Sequence, residues 1–228
     1  MNNNDILKYG ILSKLYTKVL NKDFVYARGE KTVELQNWSE VFTCEGDGYI
    51  DIEGIFVTSR DYINHELNWY LSQNPNSVEI SKHAQIWSTA SDNNGMANSN
   101  YGYLIWSPQN GYQFNNVIEL LKKDKDSRRA IMYYTNPMMH YLGGNDHVCT
   151  LNVGYMIRDN KVHANVTMRS NDIRFGLIGA DLSWQIHVLK LVAKELNLEA
   201  GNINWYAMSA HLYERHFDKL TQIFKKDR

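Results

Sequence analysis

The chain has 228 residues, with 24 Lys and Arg against 25 Asp and Glu for a formal net charge of −1, and is 43% hydrophobic and 21% charged. That length suits one domain with a substantial core, and the balanced charge leaves no basic field for duplex DNA or an anionic membrane. No apolar run reaches membrane-spanning length, Met1-Asn2-Asn3-Asn4 is too polar to begin a signal peptide, and two cysteines, Cys44 and Cys149, fit a reducing cytoplasm rather than a disulfide framework.

Asp5 is placed to cap a first helix in which Leu7, Ile11, Leu15 and Val19 recur near helical spacing. Residues 21–29 break that period, and Thr32-Val33-Glu34-Leu35 then alternates as a strand does. Tyr62, Ile63, Glu66, Leu67 and Tyr70 form the stripe of a second helix, ended by Asn74-Pro75-Asn76. Residues 91–100 read as a polar loop, and Val117, Leu120 and Leu121 mark the next helix. Residues 130–134 suit a buried strand. Residues 150–157 and 162–168 alternate on either side of Arg158-Asp159-Asn160-Lys161, a hairpin signal. Trp184, His187, Val188, Leu191, Val192 and Leu196 give the best amphipathic helix, and Ile203-Asn204-Trp205-Tyr206 a last short strand. Helices and strands mix without regular βαβ alternation. The expected fold is therefore α+β, a mixed sheet layered with helices in a single domain over residues 1–228.

Several side chains invite chemistry, each with a plainer reading beside it. Glu66 is a carboxylate on an apolar stripe, costly to bury unless paired or used, though rotation to the helix edge would solvate it. Cys149 opens a strand, where a lone cysteine is by default structural; as a nucleophile it needs a nearby cation to lower its pKa. Arg128 and Arg129 lie in a Lys-Asp-Ser-Arg-Arg stretch that is either a solvated turn or a phosphate site. His211 and Tyr213, two apart on an extended segment, point the same way. Six Trp and fifteen Tyr are mostly core, with some free to stack on a base or pterin. The eight histidines are scattered without His-x-x-x-His spacing, so no metal is expected. No Gly-rich phosphate loop appears either.

Taken in order, His65-Glu66-Leu67-Asn68-Trp69-Tyr70, Ile86-Trp87, Asn98-Ser99-Asn100-Tyr101-Gly102, Asp126-Ser127-Arg128-Arg129, Cys149-Thr150, Arg169-Ser170-Asn171-Asp172 with Phe175-Gly176, and His211-Leu212-Tyr213 resemble the thymidylate synthase superfamily. The resemblance covers most of the chain and is nearest to the phage-type deoxycytidylate hydroxymethylase branch. In that superfamily an Asn near the start of the helix after Phe-Gly reads uracil, donating to O4 and accepting from N3–H. A loop one residue longer puts Asp181 at that position, in accord with Trp184-Gln185 after it; a gapless match puts Ala180 there. Cytosine reverses the pattern, with an amino donor at C4 and an acceptor at N3. A carboxyl group can accept from the amino group and share a proton with N3, so Asp181 implies cytosine.

The same resemblance implies roles for the other residues. Cys149 adds to C6 of the pyrimidine with Arg169 as its cation, His147 being a local candidate for the same task. Glu66 orders water and moves protons. Arg128, Arg129, Arg169 and Ser170 hold the phosphate, the Arg128-Arg129 pair reaching across a homodimer, with Arg28 a looser further contact. His211 and Tyr213 bind the sugar 3′-hydroxyl, Trp87 and Asp172 contact folate, and Tyr101 stands near the nucleophile. The implied reaction transfers a one-carbon unit from methylenetetrahydrofolate to C5 of dCMP, water then giving the hydroxymethyl group, in the cytoplasm of a phage-infected host. A dCMP or dUMP methyltransferase is the alternative within the superfamily, and a silent nucleotide- or RNA-binding relative the alternative outside catalysis. The polar end Phe224-Lys225-Lys226-Asp227-Arg228 leans toward water, because hydride transfer needs a dry site closed by a hydrophobic tail.

Overall fold

The computed structural model describes residues 2–138 and 146–225, so most of the polar end, Lys226-Asp227-Arg228, lies outside the described residues. Helix α1 (Asn3–Leu7) runs through a π turn at Lys8–Leu12 into α2 (Ser13–Leu20). Its cap is Asn2 rather than Asp5: the Asn2 side chain accepts from the Asp5 amide at 2.9 Å, which leaves Asp5 in the first turn, where a carboxylate favours the helix dipole. A hairpin of β1 (Val25–Ala27) and β2 (Glu30–Thr43) follows, far longer than the Thr32–Leu35 alternation indicates. A small ribbon pairs β3 (Asp51–Ile52) with β4 (Phe56–Val57).

Helix α3 (Arg60–Leu71) starts at Ser59, whose side chain accepts from the Tyr62 amide at 3.1 Å. Three short helices come next, α4 (Val78–Ser81), α5 (Ile86–Ala90) and α6 (Tyr101–Trp106), none long enough to leave a period in the sequence. Then come α7 (Gln113–Lys123) and β5 (Ile131–Tyr133). The expected hairpin is present as β6 (Thr150–Arg158) and β7 (Lys161–Met168), turning on Asp159 and Asn160 at φ 51° and 60°, the left-handed pair of a type I′ turn. Strand β8 (Asn171–Asp172) leads into a widely coiled segment, Ile173–Asp181, kinked at Gly179, and then into α8 (Leu182–Glu195). The chain closes with β9 (Glu199–Tyr213) and α9 (Phe217–Lys225).

The main sheet has the order β1-β2-β9-β7-β6-β5, with β8 added alongside β9. Among the described residues only the β7–β9 and β8–β9 pairs are parallel; α8 makes the crossover that a parallel connection requires and packs on β7 and β9. Strand β9 is thus the centre of the sheet, fifteen residues long, and not the short strand expected over Ile203–Tyr206. Its alternation holds through Gly201, Ile203, Trp205 and Ala207, then fails at Ala210, His211 and Leu212, all buried because both faces are covered there. Helix α9 was equally unforeseen, although Phe217, Leu220 and Ile223 bury one face of it. The mixed helices and sheet in one domain are the α+β class read from the sequence.

The register also defines a more open sheet face. Val41 stands beside Asn204, Asn204 beside Asn165, and Thr167 beside Asn152, which faces Tyr133 on edge strand β5. Val41, Met208 and Tyr133 keep 45%, 47% and 56% of their surface exposed.

Candidate active site

A cavity of about 1160 Å³ opens where α3, the α4–α5 region, the start of β6, β8, the coiled segment and the end of β9 converge. Its charged centre is assembled from distant parts of the sequence. Helix α3 supplies Glu66, which is buried, 6% exposed. The expected way out for that carboxylate, rotation to solvent, is not taken. Instead the Tyr70 hydroxyl donates to Glu66 Oε1 at 2.5 Å, and Tyr62 hydrogen-bonds it from the other side. Those tyrosines sit four residues before and after Glu66, so the signal lay in the helical period. Trp87 of α5 donates its indole N–H to the Tyr62 hydroxyl at 3.2 Å, extending the chain of bonds to a third aromatic wall residue. Burial raises the Glu66 pKa above the carboxylate range, with the two tyrosine bonds opposing.

Cys149 reaches the cavity just before β6, held against Arg169 at the end of β7. Arg169 Nη2 lies 3.7 Å from Cys149 Sγ, its Nε donates to the Val148 carbonyl at 3.0 Å, and its Nη2 also donates to the His147 carbonyl. Arg169 is therefore the cation at the sulfur. The same His147 carbonyl oxygen also accepts from the Cys149 thiol at 3.8 Å. Even so the thiol is pushed up to about 11: burial dominates, Arg169 pulls the value down, and the charges of Asp181, Asp146 and Asp172 push it back up. Asp146, not singled out in the sequence, is anchored by Ser99 through its backbone N–H at 2.7 Å and its hydroxyl at 2.7 Å. Asn100 caps α6 by accepting from the Tyr103 amide at 2.8 Å, so the Asn98-to-Gly102 motif is largely scaffolding around Tyr101. Tyr101 itself lines the cavity, its hydroxyl accepting from Thr150 at 3.1 Å.

Asp181 closes the opposite wall. The segment Ile173–Asp181 winds in wide turns with a kink at Gly179, and Asp181 faces the cavity while Ala180 is buried. Burial raises the Asp181 pKa to about 7, repulsion from Glu66 and Asp172 adds to it, and a 3.1 Å hydrogen bond from Asn171 opposes it. A carboxyl group tuned to neutral pH can hold or share a proton.

The remaining expected residues divide in two. Ser170 and Asp172 line the cavity, and Asp172 also accepts from the Arg174 and Phe175 amides at 2.8 and 3.1 Å, so it caps the coiled segment as well. His211 and Tyr213 line it from β9 with their rings 5.2 Å apart, and Arg28 borders it from the β1–β2 turn. Arg128 and Arg129 do not reach it; both are exposed on the turn before edge strand β5. Two other arginines do reach it, unannounced by any motif. Arg174 donates to the Thr58 hydroxyl at 2.8 Å and the Val57 carbonyl at 2.7 Å, and Arg215 lies over the Tyr213 ring at 4.1 Å.

Among the described residues one group has metal-ligand composition, Asp61, His65 and His83, with donor atoms within 4.8 Å of one another. The two imidazoles stack at 3.5 Å and 19°. Their in-plane lone pairs therefore run side by side rather than toward a common point, which is the geometry of ring stacking and not of coordination. No helix of the described residues is long and apolar enough to cross a membrane.

Residues 56–228 match the family model described as thymidylate synthase. The chain is 38% identical over 228 residues to the deoxycytidylate 5-hydroxymethyltransferases of Enterobacteria phages T2 and T6, covering 90% of this chain and 89% of each relative. It is 39% identical over 210 residues to the protein of the same name from Enterobacteria phage T4, covering 86% of this chain and 82% of that one. With matches of that extent, the chain belongs to the thymidylate synthase family.

Proposed function

We propose that the protein is a deoxycytidylate hydroxymethylase, which transfers a one-carbon unit from methylenetetrahydrofolate to C5 of dCMP and adds water to give 5-hydroxymethyl-dCMP. The observation that carries this reading is Asp181: an acid, not an amide, shares a cavity with Cys149, Arg169 and Glu66, and its pKa of about 7 suits proton sharing with cytosine N3. The names of the phage relatives support the same base and the same added group.

Each residue's task follows from its surroundings. Cys149 attacks C6 as a thiolate, with the Arg169 guanidinium beside its sulfur favouring the charged form. Neutralising Asp181 against the base removes one of the charges that hold the thiol up, which couples base binding to nucleophile activation. Glu66, buried between two phenols with a raised pKa, is placed to take a proton from water at the base. Ser170, Arg169 and Arg28 face the phosphate end, and His211 with Tyr213 the sugar. A volume near 1160 Å³ exceeds the roughly 300–1,000 Å³ of single small-molecule sites and so accommodates a nucleotide and a folate together. Methylenetetrahydrofolate when bound supplies a one-carbon unit at the oxidation level of formaldehyde, and Trp87 and Asp172 are the residues to hold it. Arg128 and Arg129 act on the phosphate of a second copy, and the apolar residues on the open sheet face suit a homodimer.

Mass analysis of products from dCMP and from dUMP with methylenetetrahydrofolate tests the reading. A hydroxymethyl gain on dCMP is expected. A methyl gain would replace water by hydride in the last step, and consumption of dUMP in preference to dCMP would overturn the base assignment.

A further inference from the structure

Two protein groups fix how Asp181 is held. The buried Trp205 indole N–H, which can only donate, lies 3.2 Å from Asn171 Oδ1. That fixes the Asn171 amide orientation: its carbonyl oxygen faces Trp205 and its NH₂ faces Asp181 Oδ2 at 3.1 Å. Gly176 makes the approach possible, because a Cβ there would stand 2.6 Å from Asp181 Oδ2 and 3.1 Å from Asn171 Nδ2. Asn171 is itself 1% exposed, held on β8 opposite Ala210 of the central strand.

The consequence concerns specificity. A neutral carboxyl group is ambivalent toward the two pyrimidines. With the proton on one oxygen it donates to cytosine N3 and accepts from the amino group; with the proton on the other it donates to uracil O4 and accepts from N3–H. An acid at this position does not by itself exclude uracil. An oxygen that already accepts from Asn171 is a poor place for the proton, so the proton is confined to Oδ1.

We propose that Asn171, oriented by Trp205, is a specificity-determining positioning residue: it holds Asp181 Oδ2 as the acceptor turned to the C4 substituent and leaves the proton on Oδ1 toward N3, the form that reads cytosine and rejects uracil. This rests on Asp181 being the base reader in the proposed function. The groups facing Asp181 are Glu66, Tyr62 and Tyr70 from α3, Tyr101 from α6, Cys149 before β6 and Asp172 on β8, all acidic, and none supplies a donor bond to Oδ2 in place of Asn171.

The test compares kcat/KM for dCMP and dUMP in wild type, Asn171→Ala, Asn171→Asp and Gly176→Ala, with thermal melting to establish folding. Asn171→Asp keeps the size of the side chain and an acceptor for Trp205, so it preserves the fold if the alanine variant does not. Gly176→Ala pushes Asp181 off Asn171 by contact alone and leaves both side chains chemically unchanged. Every folded variant is expected to lose about tenfold or more of its dCMP-over-dUMP preference, the scale of one misplaced buried hydrogen bond. In Asn171→Asp the loss should grow as pH rises, because the new carboxyl group donates only when protonated. A merely structural loosening lowers both nucleotides alike and leaves the ratio unchanged; that result in folded Asn171→Ala or Asn171→Asp overturns the inference. Asp181→Asn separates it from the reading beneath. If wild type prefers dCMP and Asp181→Asn shifts toward dUMP while the Asn171 variants do not, only the Asn171 role fails. If wild type prefers dUMP, the base assignment fails with it.

Discussion

At Cys149 burial and three carboxylates outweigh one guanidinium, so the thiol is pushed up to about 11, and in the proposed reaction it must be activated by what binds beside it. Cys149→Ser should abolish turnover while leaving dCMP binding within a fewfold of wild type, since the hydroxyl fits the space but is a far poorer nucleophile. Near-normal product formation by that variant, measured in the same assay, would remove Cys149 from the chemistry. Asp181 has a cost that can be measured without substrate. Its folded pKa near 7 lies above the ordinary carboxylate value, so between roughly pH 4 and 7 the unfolded chain releases a proton that the folded chain keeps. Stability therefore falls as pH rises through that window and is flat above it. Asp181→Asn removes the penalty, and urea denaturation should find the variant more stable than wild type by on the order of 2–4 kcal/mol at pH 8, the gap closing toward pH 4. A gap of constant size across that range would show that Asp181 is not buried in an ionisable state.

Two helices set the floor of the cavity, and one glycine sets the distance between them. A Cβ at Gly102 of α6 would stand 1.8 Å from the Tyr70 carbonyl oxygen of α3, a backbone atom that cannot swing aside. Tyr70 and Tyr101 stack across that crossing at 4.9 Å, and Tyr70 carries the bond to Glu66. Gly102→Ala should thus destabilise the fold by about 1–3 kcal/mol, the usual range for overpacking, and lower kcat by moving Glu66. Unchanged melting and turnover would mean that α3 and α6 are not packed as tightly as the structure has them.

The same elements mark how far the sequence could be read. Helix α3 and the β6–β7 hairpin were legible because each buries one face over many residues and carries its cap or turn chemistry in the sequence; α8 was legible from its long apolar stripe alone, since residues 182–186 are buried all round and Asp181 makes no cap bond. The full length of β9 was not, since burial on both faces at Ala210-His211-Leu212 erases its period, and α4, α5 and α6 are shorter than two helical repeats. At the site, Glu66 and Cys149 stood out as residues whose chemistry exceeds what a core needs, and Arg169 and Asp181 only through the family resemblance. Asn171, Asp146 and Arg174 did not. Their importance is a matter of partners brought together from 10, 47 and 116 positions away, and nothing local announces such bonds.

For the whole molecule, the outstanding fact is the distance of Arg128 and Arg129 from the cavity of their own chain. They sit exposed before β5, at the edge of a sheet whose open face carries Val41, Met208 and Tyr133. If two copies join through that face, each arginine pair is carried to the neighbouring site, and phosphate affinity becomes a property of the pair of chains. Arg128→Ala and Arg129→Ala should then raise KM for dCMP about tenfold or more, as expected for loss of a charge-assisted bond to phosphate. The decisive measurement mixes either variant with Cys149→Ser. Neither parent is fully active, but a heterodimer holds one site with an intact nucleophile and intact arginines from the other chain. Activity should recover in the mixture toward a quarter of wild type at equal amounts, because about half the dimers are mixed and each has one complete site. Subunit exchange shown by mass labelling with no recovery of activity would place the arginines in the site of their own chain, or outside the reaction altogether.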